Sequence, residues 1–164
     1  MHVGVDYYPE HWPQDRWEMD ASLMERAGFT VTRLSEFAWA FMEPTEGNFD
    51  FAWLDKNIEL AADQCLKVVL CTPTPAPPVW LTEKHPEVLM VDAAGRTQVH
   101  GTRQHATWSS SVYRDYVERI VNDVHALVGT HLQTLTDALE RLFRSHAEHR
   151  DSAGVGAAKF FLDL

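Results

Sequence analysis

The sequence predicts an α/β fold of parallel strands joined by crossover helices, and favours part of a (β/α)8 barrel over an open doubly wound sheet. Three observations carry this reading. Short, β-branched runs alternate with amphipathic helical stretches through the first four-fifths of the chain. The connections are too long for hairpins, so the strands must pair in parallel. Each strand-like run is followed by a segment rich in aromatic residues, carboxylates or proline: YYPEHW, SEFAWAFMEP and TPTPAPPVW. No glycine-rich phosphate turn accompanies them. Such loops at the C-terminal ends of strands suit a barrel that binds an uncharged polar ligand.

Val3 to Tyr8 (VGVDYY) reads as the first strand. Pro13 and Asp15 then open a helix over Gln14 to Ala27, whose apolar positions Trp17, Leu23, Met24 and Ala27 fall mostly on one face. Gly28 follows as its stop. Thr30 to Leu34 (TVTRL) has the composition of a buried strand. Asp50 to Gln64 places Phe51, Leu54, Ile58, Ala61 and Ala62 at helical spacing, and Leu66 to Leu70 (LKVVL) forms the third strand. The segment TPTPAPPVW excludes both a helix and a central strand. Val112 to Val128 is the next helix, with Tyr113, Tyr116, Val117, Ile120, Val121, Val124 and Leu127 as its buried stripe.

The 164 residues suffice for one compact domain, and 45% apolar against 23% charged residues excludes a disordered chain. With 14 basic and 24 acidic residues, the formal charge of −10 sets aside nucleic acid and anionic lipid as partners. No apolar run approaches the ~20 residues of a membrane helix. The start, MHVGVDYYPEHW, lacks the features of a signal peptide, so the cytoplasm is expected. Cys65 and Cys71 match no zinc or redox spacing and are expected to be small buried hydrophobes.

Sugar sites need flat aromatic surfaces for the C–H faces of a pyranose, together with charged hydrogen-bonding groups for its hydroxyls. Of the six Trp, Trp12, Trp39, Trp80 and Trp108 fall in the strand-end loops. Each alone is better read as a core or interface residue; as a set they point to a carbohydrate site. Asp6, Glu10, Glu36 and Glu43 are acids at or just past strand ends. A glycosidase needs two carboxylates, yet an acid in such a position also serves as an orienting hydrogen-bonder, and that reading is favoured for all four. Arg103 in VHGTRQHATW fits equally a clamp on a sugar hydroxyl or a surface ion pair. Neither His146 with His149 nor His100 with His105 has the neighbours of a metal site, so no metal is expected.

The stretches GVDYYPEHWP, RWEMDASLMERAGFTVTRLSEFAWAFMEPTEGNFDFAWLD, KVVLCTPTPAPPVWLTEKHPEVLMVDAAGR and GTRQH, followed by SSSVYRDY, resemble the N-terminal third of glycoside hydrolase family 42 β-galactosidases, continuously from Val3 to Gly129. The resemblance implies an incomplete (β/α)8 TIM barrel of three to four βα units at residues 1–129, followed by a divergent helical tail at 130–164. It implies retaining hydrolysis of terminal β-galactosides through two glutamates, no cofactor, and a homo-oligomer, with trimers common. It also implies that Arg103 contacts the galactosyl unit. Asp6, Tyr7, Tyr8, Glu10, Glu36, Phe37, Trp39 and Trp108 are the candidate pocket lining.

The chain also departs from the family pattern. The fourth strand of the family ends in an Asn-Glu pair that supplies the acid/base, and no Asn-Glu occurs here. Glu140 and Glu148 are the only glutamates after Gly129, and Glu140 lies opposite the apolar stripe Leu132, Leu135, Leu139 and Leu142 of an expected tail helix over Leu132 to Arg144. No catalytic residue is therefore carried over, and the isolated chain is expected to be inactive. The alternatives are a galactoside-binding fragment, or a fragment whose barrel another chain completes. Thr107 stands where some members place a zinc-binding Cys, so no zinc is expected there. Cys65 stands where a Gly usually ends the second helix, which predicts a left-handed conformation for it.

Overall fold

The computed structural model describes residues 1–101 and 104–127. Residues 1–124 belong to one compact unit. Arg103 and the expected tail helix lie outside the described residues.

Three parallel strands form a sheet in the order β1-β2-β3, with β1 at Gly4–Asp6, β2 at Val31–Leu34 and β3 at Lys67–Leu70. Helix α1 (Trp17–Arg26) links the first pair; α2 (Trp39–Met42) and α3 (Ala52–Asp63) link the second. Helix α4 (Val79–Lys84) follows β3, and α5 runs over residues 111–127. This is the βαβαβ succession the sequence predicts, the repeating unit from which α/β barrels are built.

The elements are shorter than expected. The first strand stops at Asp6, because Pro9 opens a 3-10 turn at Pro9–His11. The helix expected from Gln14 begins as another 3-10 turn, Gln14–Arg16, before α1. Helix α2 was not foreseen. Nor was α4: Val79 and Trp80, the last residues of the Pro-rich segment, form its first turn behind Pro78. A proline preceding the first turn removes no helical hydrogen bond, so only residues 72–78 are irregular.

Side chains alternate across the sheet. Val5, Thr32 and Val68 share one register position, and Leu34 and Leu70 the next on the same face. That face meets the helices. Met24, Ala61 and Leu66 pack with Val5, Tyr7, Phe29 and Val68, while Trp17, Ala21 and Leu60 pack with Trp53. Leu34 and Leu54 are wholly buried, each such burial stabilising by about 1.5–3 kcal/mol. The other face carries Gly4, Val31 and Lys67 in one row and Asp6, Arg33 and Val69 in the next. It has no covering layer among the described residues; Val69 is 48% exposed.

Helices α1 and α3 end in the same way. After α1, Gly28 N–H donates to Glu25 O (2.8 Å) and Phe29 N–H to Met24 O (3.1 Å), with Gly28 at φ 82°. After α3, Cys65 N–H donates to Ala62 O and Leu66 N–H to Ala61 O, both at 2.9 Å, with Cys65 at φ 56°. Both are Schellman motifs, which demand a left-handed residue. The conformation expected of Cys65 is present. The burial expected of the cysteines is not: Cys65 is exposed at the helix end, and Cys71 is half-buried just past β3.

Candidate functional site

Asp6 ends β1, Arg33 sits opposite it on β2, and Glu36 follows β2 by two residues. Arg33 gathers the group. Its Nε lies 3.0 Å from Asp6 Oδ1, an ion pair not aligned as a hydrogen bond, and its Nη2 donates to Glu36 Oε2. The Tyr8 hydroxyl donates to the same Glu36 oxygen at 3.3 Å. Tyr8 stacks between His11 and Phe37, with centroids at 5.7 and 6.1 Å. Two carboxylates, a guanidinium and an aromatic stack thus meet at the C-terminal ends of β1 and β2, where barrel enzymes bind ligands. Burial, then the neighbouring Glu36 charge, pushes the Tyr8 phenol up, so it stays a neutral donor. Cys71 adjoins the cluster. Burial pushes its thiol up, Arg33 pulls it down, and Glu36 and Asp6 raise it further.

Of the residues expected to line a pocket, Asp6, Tyr8, Glu36 and Phe37 come together here. Tyr7 does not. The period of two in β1 turns it to the helix layer, where its hydroxyl donates to Asp20 Oδ2 at 2.9 Å, and burial with that carboxylate raises its pKa. Trp39 is wholly buried, its ring 6.4 Å from that of Tyr113. Glu10 lies on the 3-10 turn after β1. Neither of its oxygens meets a donor from another residue, and burial raises its pKa. Trp108 is 56% exposed before α5, edge-on to Tyr113 at 5.3 Å.

Glu43 is no part of the cluster. It is fully buried, accepting from Trp39 Nε1 (3.0 Å), Gly47 N–H (2.7 Å) and Arg119 Nη2. Trp80 Nε1 donates to its carbonyl at 2.9 Å. The Glu43 carboxylate ties α2 to α5, and its backbone carbonyl ties α4 to the same point. Trp80 is thereby a packing residue. Among the described residues no three metal-ligating side chains converge.

Arg33 was missed in the sequence. The available signal was a lone charge in the strand-like run TVTRL, whose register opposite Asp6 calls for a partner.

A glycoside hydrolase family 42 model, described as β-galactosidase, matches residues 6–137. The chain is 45% identical over 124 residues to a β-galactosidase of Halorubrum lacusprofundi and 50% over 119 residues to one of Thermus thermophilus, spanning 76% and 73% of itself but 18% of each relative. That share is smaller than the third expected from the sequence. Among solved structures, the β-galactosidase of the psychrophilic Marinomonas ef1 superposes with a TM-score of 0.72 at 45% identity, over 76% of this chain and 19% of that one. The β-galactosidase of Bacillus circulans sp. alkalophilus gives 0.72 at 34%, over 76% and 18%.

Proposed function

The chain belongs to the glycoside hydrolase family 42 β-galactosidases, and from that premise we propose that it supplies the first three βα units of a barrel hydrolysing terminal β-galactosides with retention. The observation that carries this reading is the Asp6–Arg33–Glu36–Tyr8 cluster at the strand ends. It offers a galactosyl unit both donors and acceptors beside an aromatic stack. Arg103, carried over from the family, would add a second guanidinium.

The chemistry itself belongs to residues this chain does not carry. A retaining glycosidase needs two carboxyl groups about 5–5.5 Å apart, one attacking the anomeric carbon and one protonating the leaving oxygen. Glu36 is engaged by Arg33 and Tyr8, which suits an orienting acceptor. Glu43 is locked in the core. The chain alone therefore binds galactose weakly and hydrolyses nothing. Asp6, Arg33 and Glu36 fix the orientation of a sugar whose bond is broken by glutamates from later strands.

The test is hydrolysis of a chromogenic β-galactoside by the purified chain, with galactose titrated calorimetrically into the same sample. No turnover with weak galactose binding, lost in Arg33→Met, is expected. Turnover abolished by Glu36→Gln would overturn the assignment of Glu36 as an orienting group.

A second reading is favoured by the uncovered inner face and by a groove of about 310 Å3 between β1 and α1, lined by Val5, Trp12, Leu23 and Phe29 among others. Three strands cannot close a barrel, and the edges of β1 and β3 are unpaired among the described residues. Another chain carrying the remaining units would pair with both edges. Activity appearing only on mixing would support this. The cytoplasmic location and a homo-oligomer, trimeric by family analogy, belong to the first proposal. Among the described residues, no helix is long and apolar enough to cross a membrane.

A further inference from the structure

Ser35 stands between β2 and the cluster. It is wholly buried, and it is one of two non-glycine residues at positive φ among those described, at 73°. L side chains rarely adopt this region, and where they do the local strain marks sites the surrounding fold holds in place. The second observation is its hydroxyl, which donates to Cys71 O at 2.6 Å.

The two observations explain each other through the ladder. Leu34 pairs with Leu70, and Cys71 N–H donates to Leu34 O at 3.0 Å. In a parallel ladder continued by one step, the Glu36 N–H would donate to Cys71 O. Here the Ser35 hydroxyl takes that acceptor instead. The carbonyl at the end of β3 stays satisfied, and the Glu36 peptide is released from the sheet. The left-handed turn at Ser35 then carries the chain back, so that residue 36 reaches residue 33 within a single turn. Ser35 O accepts from Ala38 N–H at 3.2 Å, which closes the next turn, over residues 35–38.

We propose that Ser35 is a positioning residue for the sugar-binding cluster, ending β2 through its left-handed backbone and its hydroxyl so that the Glu36 carboxylate is set onto Arg33. Its bearing on sugar binding rests on the function proposed above; its bearing on Glu36 does not.

Cys71 provides the reporter, because its thiol sits beside Arg33 and Glu36. In a Cys65→Gly background it is the only thiol. The pH profile of its reaction with a thiol-specific reagent is measured in the full chain, alongside galactose affinity. Glu36→Gln removes the charge that offsets Arg33, so the profile moves to lower pH, speeding reaction near neutrality about three- to tenfold, the effect of half to one pKa unit. Ser35→Ala keeps the conformational strain and loses the hydroxyl, so Glu36 leaves Arg33 and the profile moves the same way. Ser35→Gly accepts the left-handed turn without strain but also lacks the hydroxyl, so its profile moves in the same direction by less than that of Ser35→Ala.

A Ser35→Ala profile equal to that of the parent would overturn the proposal, as would Ser35→Gly shifting as far as Glu36→Gln. If Ser35→Ala does not fold, Ser35→Gly against Glu36→Gln decides alone. Galactose affinity is expected to fall in Ser35→Ala and to fall less in Ser35→Gly. Profiles that behave as stated in a chain that binds no galactose would leave Ser35 as the setter of Glu36 and remove the sugar.

Discussion

Replacing Cys65 by glycine should stabilise the protein, and the amount can be worked out from the helix end it occupies. Cys65 holds φ 56° because the two closing hydrogen bonds of α3 require it. An L residue pays about 1–2 kcal/mol for that conformation. Glycine removes the strain but adds freedom to the unfolded chain, which costs about 0.4–1 kcal/mol. The net gain is about 0.5–1 kcal/mol, or about 2–4 °C in melting temperature for a unit of this size. The side chain is exposed and packs into no cluster, so little is lost on removing it. Thermal unfolding followed by far-ultraviolet circular dichroism, under reducing conditions, measures the change. Cys65→Ala is the control for the thiol and should not move. Gly28 is the structural twin at the end of α1, at φ 82°, and an added Cβ there would touch nothing within 4 Å. Gly28→Ala therefore isolates the conformational penalty with opposite sign. If Cys65→Gly melts at or below Cys65→Ala while Gly28→Ala is harmless, the strain argument is wrong at both ends.

Three further perturbations have defined outcomes. Burial raises the pKa of Glu10 in the folded chain, so as pH climbs from the ordinary glutamate range the unfolded chain releases its proton first and stability declines; Glu10→Gln should gain on the parent from acid to neutral pH, and a constant difference in melting temperature would contradict this. Arg119→Met leaves the fully buried Glu43 carboxylate without its cation, costing about 3 kcal/mol in urea unfolding; a loss near zero would mean Trp39 and Gly47 satisfy it unaided. The Tyr113 hydroxyl donates to Thr74 O and burial pushes its pKa up to about 12; Tyr113→Phe orphans that carbonyl at about 1 kcal/mol, read from the same urea curves, and an unchanged midpoint would show that solvent reaches it.

The parts of this fold legible in the sequence were those governed by local periodicity. The β-branched runs at 31–34 and 67–70, and the helical spacing of Leu54, Ala61 and their neighbours, gave strands and helices at the right places and in the right order. The boundaries were less legible, because 3-10 turns at Pro9–His11 and Gln14–Arg16 use the same residues as a helix start. The site was half legible. Asp6, Tyr8, Glu36 and Phe37, expected as pocket lining, lie together at the strand ends because they follow the strands in sequence. Arg33 was hidden within a strand pattern, and its role appears only when β1 is laid in register beside β2. Glu43 and Glu36 look alike in sequence, seven residues apart in one acidic-aromatic loop. What separates them is burial, fixed by Arg119 more than seventy residues onward, and no local pattern encodes that pairing.

The inner face of the sheet bears on how such a protein is born. Synthesis delivers the N-terminal units first, and they fold around α1 and α3 before any opposing strand exists. During that interval the face bearing Val31 and Val69 looks onto water and onto neighbouring nascent chains. Asp6, Arg33 and Lys67 share that face. Charges pointing inward from an open sheet disfavour stacking with a second sheet. Asp6 and Arg33, proposed to orient a sugar, thus also make this open face a poor surface for another sheet to stack on.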